Sequence, residues 1–211
     1  MSIYEEMSSF LQQGRAPKVK ELCEQALADG EDAGKILEEG LLSGMSIIGE
    51  KFKNNEVYVP EVLIAARAMN AGMEILKPAL ASSGKTAVGK AILGTVKGDL
   101  HDIGKNLVKI MLEGKGIEVI DLGTDVEPET FIQAAIDEDA KIIACSALLT
   151  TTMGMMKEVV DKAKEMGVRD KVKIMVGGAP VTENYKDSIE ADYYTADAAT
   201  ASDVALEILN A

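Results

Sequence analysis

Histidine is almost missing from this chain: His101 is the only one among 211 residues. A tetrahedral zinc site needs three or four protein ligands, so a lone imidazole excludes a histidine-built zinc centre. Cysteine is scarce as well, and Cys23 and Cys145 make a poor disulfide framework. Cys145 falls in the apolar run Lys141-Ile142-Ile143-Ala144-Cys145 and is expected as a buried free thiol, which fits a reducing cytoplasm. No apolar run approaches the ~18 residues that a membrane helix requires. The start, Met1-Ser2-Ile3-Tyr4-Glu5-Glu6, has neither the basic nor the apolar region of a signal peptide, and a cytoplasmic protein is expected. Positive charge is short: 22 basic side chains face 35 acidic ones, a net charge of −13. That surface repels nucleic acid and suits docking onto basic faces of partner enzymes.

What is present divides into two halves of different periodicity. Hydrophobic residues make up 47% of the chain, enough for a real core. Over the first 80 residues the spacing is helical. Ile3, Met7, Phe10 and Leu11 share one face; Val19, Leu22, Ala26 and Leu27, entered through Pro17, form a second stripe. Leu37, Leu41, Met45, Ile48 and Phe52 make a third, and Pro60 opens a fourth lined by Val62, Leu63, Ala66, Met69, Met73 and Leu76. These stripes predict a four-helix bundle over residues 1–80. The run Lys77-Pro78-Ala79-Leu80-Ala81-Ser82-Ser83-Gly84-Lys85 breaks the pattern, which places a linker at 81–89 and a hinge at 78–85.

From residue 90 to 211, short β-rich runs alternate with helical ones. Strands are expected at 90–96, 118–121, 141–145, 173–176 and 192–195. Helices are expected near 104–113, 128–137, 153–166, 182–189 and 198–209. This alternation predicts an α/β domain with a parallel sheet wrapped by helices. Ligands of such sheets bind outside the carboxyl ends of the strands, which selects the loops at 97–104, 146–152 and 177–180.

Each of those loops is unusual. The first reads Gly98-Asp99-Leu100-His101-Asp102-Ile103-Gly104. An imidazole beside a carboxylate can be a metal ligand whose tautomer the carboxylate holds. It can serve one axial position of a metal whose other positions a macrocycle fills, or it can be a hydrogen-bonded histidine at a helix start. The second, Ser146-Ala147-Leu148-Leu149-Thr150-Thr151-Thr152, offers four hydroxyls that could cap a helix or bind a polar ligand tail. The third carries Gly177-Gly178, which suits either a tight turn or a close ligand.

Taken together, the three loops resemble the signature of cobalamin-binding domains: Asp-x-His-x-x-Gly (Asp99, His101, Gly104), Ser-x-Leu (Ser146, Leu148) and Gly-Gly (Gly177, Gly178). The separations, 41 residues (105–145) and 28 residues (149–176), match that family's spacing. Phe52 and the run Tyr58-Val59-Pro60-Glu61-Val62-Leu63 are similar to the helical cap of methionine synthase and of small corrinoid proteins. The resemblance spans essentially the whole chain. It implies a flavodoxin-like cobalamin-binding domain under a helical cap, binding cobalamin or a related corrinoid that is methylated in one state.

By position, the resemblance makes His101 the lower axial cobalt ligand in place of the cofactor's own base, with Asp99 as its hydrogen-bond partner and Thr152 as the hydroxyl member of the relay. Ser146, Leu148 and Thr150 would line the slot for the displaced nucleotide tail, and Gly177 and Gly178 would give it room. Phe52, Tyr58, Val59 and Val62 would shield the methyl group from the cap, and Asp102 would cap the helix that follows. The implied role is a methyl carrier rather than a complete enzyme, a non-catalytic subunit served by a substrate-specific methyltransferase, an acceptor methyltransferase using tetrahydrofolate or a thiol, and a reductive activase. Three rival readings are a cobalamin-dependent regulator, the small subunit of an adenosylcobalamin mutase, and a flavodoxin-like domain for another nucleotide. The first needs a DNA-binding module and a different charge, the second an associated barrel, and the third a Gly-x-Gly-x-x-Gly run that the first loop lacks.

Overall fold

The computed structural model describes residues 2–83 and 87–211 and divides into two compact units, one of residues 1–87 with 114–116 and one of 88–113 with 117–211. In the helical unit, α1 (Ile3–Gln12) opens on a capping box in which the Ser2 hydroxyl accepts from the Glu5 amide and the Glu5 carboxylate from the Ser2 amide. Helix α2 (Ala16–Ala28) carries Pro17 in its first turn, where the missing N–H has no intrahelical partner to lose. Both bury the expected stripes: Met7 and Leu11, then Val19, Leu22 and Ala26.

The third stripe buries Leu41, Met45 and Ile48 as read but begins one residue early, at Ile36 rather than Leu37. A short α3 (Ala33–Lys35) runs through a π-helical stretch, Ile36–Leu42, into α4 (Ser43–Lys53). Ile36 and Leu41, five residues apart, are fully buried, whereas Leu37 is only half-buried. The wide turn brings i and i+5 onto one face, a spacing that a 3.6-residue period cannot register. A Cβ on Gly40 would stand 2.5 Å from the Met7 sulfur, and one on Gly44 would be 3.1 Å from Leu11, so the glycine pair lets α1 pack close.

Helix α5 (Val59–Ser83) overruns the boundary expected at residue 80, continuing through Pro78. Proline removes one backbone donor but its φ suits a helix, and the Ala-Leu-Ala that follows favours helix, with Leu80 buried. Of the hinge segment, Gly84 and Lys85 lie outside the described residues.

The second unit holds five parallel strands in the order β2-β1-β3-β4-β5: β1 Lys90–Thr95, β2 Glu118–Asp121, β3 Ile142–Ser146, β4 Lys173–Gly177 and β5 Tyr193–Tyr194. Alternating residues feed two cores. Ile92, Ile143, Ile174 and Val176 pack on one face with Phe131 and Ile132 of α7 (Pro128–Asp137) and Met156, Val159 and Val160 of α8 (Gly154–Glu165). Ala91, Leu93, Ala144 and Met175 pack on the other with Leu112 of α6 (Ile103–Glu113) and Ala201 and Ala205 of α10 (Ala198–Asn210). A Cβ on Gly94 would meet the Phe131 ring at 2.8 Å, which explains a glycine inside a central strand. The short α9 (Glu183–Ser188) precedes β5. Both cysteines are buried and unpaired; burial pushes the Cys145 thiol up to about 12, and burial with Glu24 does the same for Cys23. No helix among the described residues is long and apolar enough to cross a membrane.

This strand order reverses direction between β1 and β3. Side by side at their carboxyl ends lie the loop after β1, carrying Asp99 and His101, and the loop after β3, carrying Ser146 to Thr152.

Candidate cofactor site

Asp99 organises the site. Its side chain is fully buried in the loop after β1, a position a lone carboxylate could not occupy at neutral pH without partners. It has five donors. Oδ1 accepts from the His101 ring Nδ1 at 2.7 Å and from the His101 amide at 3.1 Å. Oδ2 accepts from the Leu148 amide at 2.8 Å, the Leu149 amide at 3.1 Å and the Thr152 hydroxyl at 2.8 Å. Burial pushes this carboxyl up, but the His101 ring and amide, the Leu148 amide and the Thr152 hydroxyl together outweigh it and hold the group well below the usual carboxylate range. Asp99 is therefore an anion that ties the β1 loop to the β3 loop.

The geometry fixes what His101 can do. With Nδ1 donating to Asp99, the lone pair of the neutral ring sits on Nε2, for which no partner occurs among the described residues. The ring is half-exposed, and the His101 carbonyl is pinned by the Thr95 hydroxyl at 2.8 Å. Around it lies apolar surface open to solvent: Leu100 at 73% and Ile103 at 80% exposure, with Leu148 and Leu149 also exposed. A Cβ on Gly104 would meet nothing within 4 Å, so the protein's own packing does not demand glycine there. Among the described residues no three His, Cys, Asp or Glu side chains gather to hold a bare ion. A metal bound here must bring its other ligands with it. A flat macrocycle, apolar at its rim and taking one protein nitrogen, fits these features; a closed ion site does not.

The remaining residues of the reading fall as follows. Thr152 is buried and spends its hydroxyl on Asp99, with the Leu149 carbonyl 2.9 Å away as a second acceptor, rather than capping α8. Ser146 is half-buried at the end of β3 and Thr150 is exposed; among the described residues neither hydroxyl has a partner. Asp102 stands just before α6, where its carboxylate accepts from the Asn106 side-chain amide at 3.2 Å. Phe52 ends α4, Tyr58 precedes α5, and Val59 and Val62 lie in its first turn. Tyr58 is 64% exposed, Phe52 and Val59 are half-buried, and Val62 has no exposed surface, so only the first three present apolar area.

The two glycines differ. A Cβ on Gly177 would be in ordinary contact, but Gly178 has φ +131° and a Cβ there would stand 1.9 Å from the Ala147 carbonyl oxygen. Gly178 is thus required by the close approach of the β4 loop to the β3 loop. Gly178→Ala is expected to destabilise the fold by about 2–4 kcal/mol, and Gly177→Ala by under about 1 kcal/mol. Urea unfolding of the two variants side by side checks this.

The sequence reading passed over the fourth loop at this end of the sheet, between β2 and α7. Asp121, at the end of β2, accepts from the buried Lys105 ammonium at 2.7 Å and from the Gly123 amide at 2.9 Å. Burial would raise its carboxyl, yet Lys105 and the Gly123 amide keep it below its ordinary value. The rule that ligands sit at strand ends pointed to this loop too; it was missed because it holds no histidine, hydroxyl cluster or glycine pair.

Comparison with known proteins identifies the family. The chain matches the B12 binding domain family over residues 89–208 and a second B12 binding domain family over residues 3–77. It is 46% identical to trimethylamine corrinoid protein 1 of Methanosarcina acetivorans, over 82% of each chain. It is 39% identical to a corrinoid protein of Desulfitobacterium hafniense, over 99% of this chain and 98% of that one. Among solved structures, the methanol:cobalamin methyltransferase complex of Methanosarcina barkeri matches with a TM-score of 0.88 at 30% identity, over 99% of this chain and 80% of the other. A cobalamin-binding protein of Desulfitobacterium hafniense matches with a TM-score of 0.80 at 29% identity, over 99% and 98%.

Proposed function

Because the chain belongs to the B12-binding family of corrinoid proteins, we propose that it carries a methyl group on a corrinoid whose cobalt takes His101 Nε2 as its lower ligand. One observation carries the assignment: the chain's single imidazole is held through Nδ1 by a buried anion while Nε2 is left free amid exposed apolar side chains. When bound, the corrinoid supplies a cobalt centre that can accept a methyl group and give it away.

The protein's own residues tune how firmly His101 donates. Asp99 strengthens the imidazole as a ligand by accepting its Nδ1 proton in a charge-assisted hydrogen bond. His101 would hold the metal through Nε2, and Asp99, bonded to Nδ1, would balance any positive charge that the ring came to carry. Thr152 has two acceptors for one proton. While Asp99 is fully anionic the hydroxyl donates to it; if Asp99 takes a share of the ring's proton, the hydroxyl can turn and donate to the Leu149 carbonyl instead. Ser146 and Thr150 offer hydroxyls to the nucleotide tail, and Leu148 offers apolar contact. Gly104 leaves open the space in which the macrocycle can approach α6. Phe52, Tyr58 and Val59 supply the apolar shield, with Val62 supporting them from within.

The donor we assign is a methylated amine, the substrate class named for relatives 42–46% identical to this chain. A substrate-specific methyltransferase delivers the methyl, an acceptor methyltransferase passes it to tetrahydrofolate or a thiol, and a reductive activase restores the lowest cobalt oxidation state. The reading places the carrier in the cytoplasm.

The uniqueness of His101 makes the ligand testable in the wild type. The chain is produced with ¹⁵N-histidine, loaded with cobalamin and reduced to cobalt(II). The nitrogen superhyperfine splitting in its paramagnetic resonance spectrum should change from a triplet to a doublet. An unchanged triplet would assign the lower ligand to the cofactor's own base and overturn the proposal.

A further inference from the structure

Four residues other than glycine have positive φ among the described residues: Asn55, Asp125, Asp139 and Glu190. Asn55, Asp139 and Glu190 each follow the last turn of a helix, α4, α7 and α9 respectively, where a left-handed residue is the common way to stop. Asp125, at φ +56°, stops no helix. It lies in the loop between β2 and α7 and reaches across to the loop that bears His101.

The contacts of Asp125 are reciprocal. Its Oδ1 accepts from the Gly98 amide at 2.7 Å, and its own amide donates to the Asp99 carbonyl at 3.0 Å. Two consecutive residues, Gly98 and Asp99, are thereby gripped by one. Gly98 has φ +81°, so the chain turns sharply just before the buried carboxylate, and its amide would otherwise face solvent. The left-handed backbone at 125 is what lets side chain and amide serve the same neighbour, an arrangement that aspartate and asparagine adopt more readily than other residues. The surrounding loop is zipped to β1: the Thr95 amide donates to the Gly123 carbonyl at 2.9 Å, the Val126 amide donates to the Thr95 carbonyl at 3.0 Å, and Lys97 pairs with Glu127. Asp121 and Lys105 anchor the other end of the same loop.

We propose that Asp125 is a positioning residue for the axial histidine: it fixes the Gly98–Asp99 backbone and so sets the distance from Asp99 Oδ1 to the His101 ring. The proposal deepens the reading of His101 as cobalt ligand and rests on it. Asp99 is braced from the β3 side by the Leu148 and Leu149 amides and Thr152, but those donors reach only Oδ2. The Oδ1 side, which carries the histidine, depends on where the β1 loop holds the Asp99 backbone. Asp125 bonds both residues of that turn, the Gly98 amide through its carboxylate and the Asp99 carbonyl through its own amide, while the Asp99 amide donates to the Val96 carbonyl at 3.1 Å.

The test reads the His101 ring directly, since no other histidine contributes signals. In the full chain without corrinoid, ring ¹⁵N shifts report which nitrogen carries the proton; the wild type should show it on Nδ1. In Asp125→Gly the backbone keeps its freedom but the carboxylate is gone, and the minor tautomer should rise roughly three- to tenfold, the scale of one lost hydrogen bond. Asp125→Ala should rise at least as much, and Asp125→Asn, which keeps the acceptor and the left-handed preference, should match the wild type. The cobalamin-loaded glycine variant should also lose part of its histidine-ligated cobalt(II) signal. Wild-type tautomer ratios in Asp125→Gly, with only a lowered melting temperature, would reduce Asp125 to a structural role and overturn the proposal. A shift in Asp125→Ala without one in Asp125→Gly would do the same, assigning the effect to backbone strain. A wild-type ring without Nδ1 preference would also overturn it. Loss of the nitrogen splitting in the cobalt test, with the tautomer results intact, would instead remove the ligand assignment alone.

Discussion

His101→Ala protein reconstituted with methylcobalamin should bind the corrinoid yet show the absorption of a cofactor without a nitrogen ligand below the ring. Binding should survive because the exposed apolar side chains of Leu100, Ile103, Leu148 and Leu149 and the open face at Gly104 remain. The expected penalty in affinity is about 10- to 100-fold, while methyl transfer with partner enzymes should fall by at least about 100-fold, since the control of cobalt coordination is lost. Exogenous imidazole should restore part of the wild-type spectrum by entering the vacated space. A variant that kept the wild-type spectrum and turnover would remove His101 from the mechanism. Fold stability should fall by about 1–3 kcal/mol, less than on removing Asp99, because the buried carboxylate loses its ring donor but keeps those from Leu148, Leu149 and Thr152.

Asp99→Ala should behave in the opposite sense, damaging the fold more than the cofactor contact area. Five donors lose one acceptor, and at least the Thr152 hydroxyl and the Leu148 and Leu149 amides have no comparable partner nearby except the Leu149 carbonyl for Thr152. Removing one side of a buried, hydrogen-bonded charge costs about 3–5 kcal/mol, to be read from urea unfolding at pH 7. Asp99→Asn keeps the shape but turns an amide N–H₂ toward groups that are themselves donors, so it should recover little of the loss. The pH dependence carries a sign. The Asp99 carboxyl titrates lower in the folded chain than the ~3.9 of an unfolded one, so its contribution is fully present above about pH 4 and declines as the pH falls below that. The stability gap between wild type and Asp99→Ala should therefore narrow on acidification below about pH 4. A gap that stayed constant down to pH 2 would mean that Asp99 is not ionised in the fold.

How much of this could be read in the residues varied with how local the cause was. Strands β1 to β4 lie within a residue of their expected bounds, and α7 spans 128–137 as read, because alternation of buried β-branched runs with amphipathic helices is a short-range signal. His101, Asp99 and Thr152 were legible as a set only through the resemblance to cobalamin-binding domains; nothing in the spacing of 99 and 152 alone says that they touch. The Leu148 and Leu149 amides left no trace in the sequence, since backbone donors belong to every residue and only the fold decides where they point. Asp125 left none for a related reason: an aspartate two residues after a glycine in a turn is commonplace, and its grip on Gly98 depends on β2 lying beside β1. The π-helical stretch moved the start of the third stripe from Leu37 to Ile36, and the run from Lys77, read as a break in the pattern, continues the helix through Pro78 to Ser83.

The distribution of hydrogen bonds around Asp99 has a consequence for protein engineering. The short motif from Asp99 to Gly104 looks like a portable cassette, and pasting it into another flavodoxin-like scaffold is the obvious way to build an artificial corrinoid host. Yet three of the five bonds to its carboxylate come from residues 148 to 152, and the backbone of its first residue is gripped from residue 125. A transplant of the motif alone would bring the histidine and its aspartate but bury that carboxylate without three of its five donors. A working graft has to carry three loops at their mutual register, which favours recipients that share the strand order over those that share only the motif.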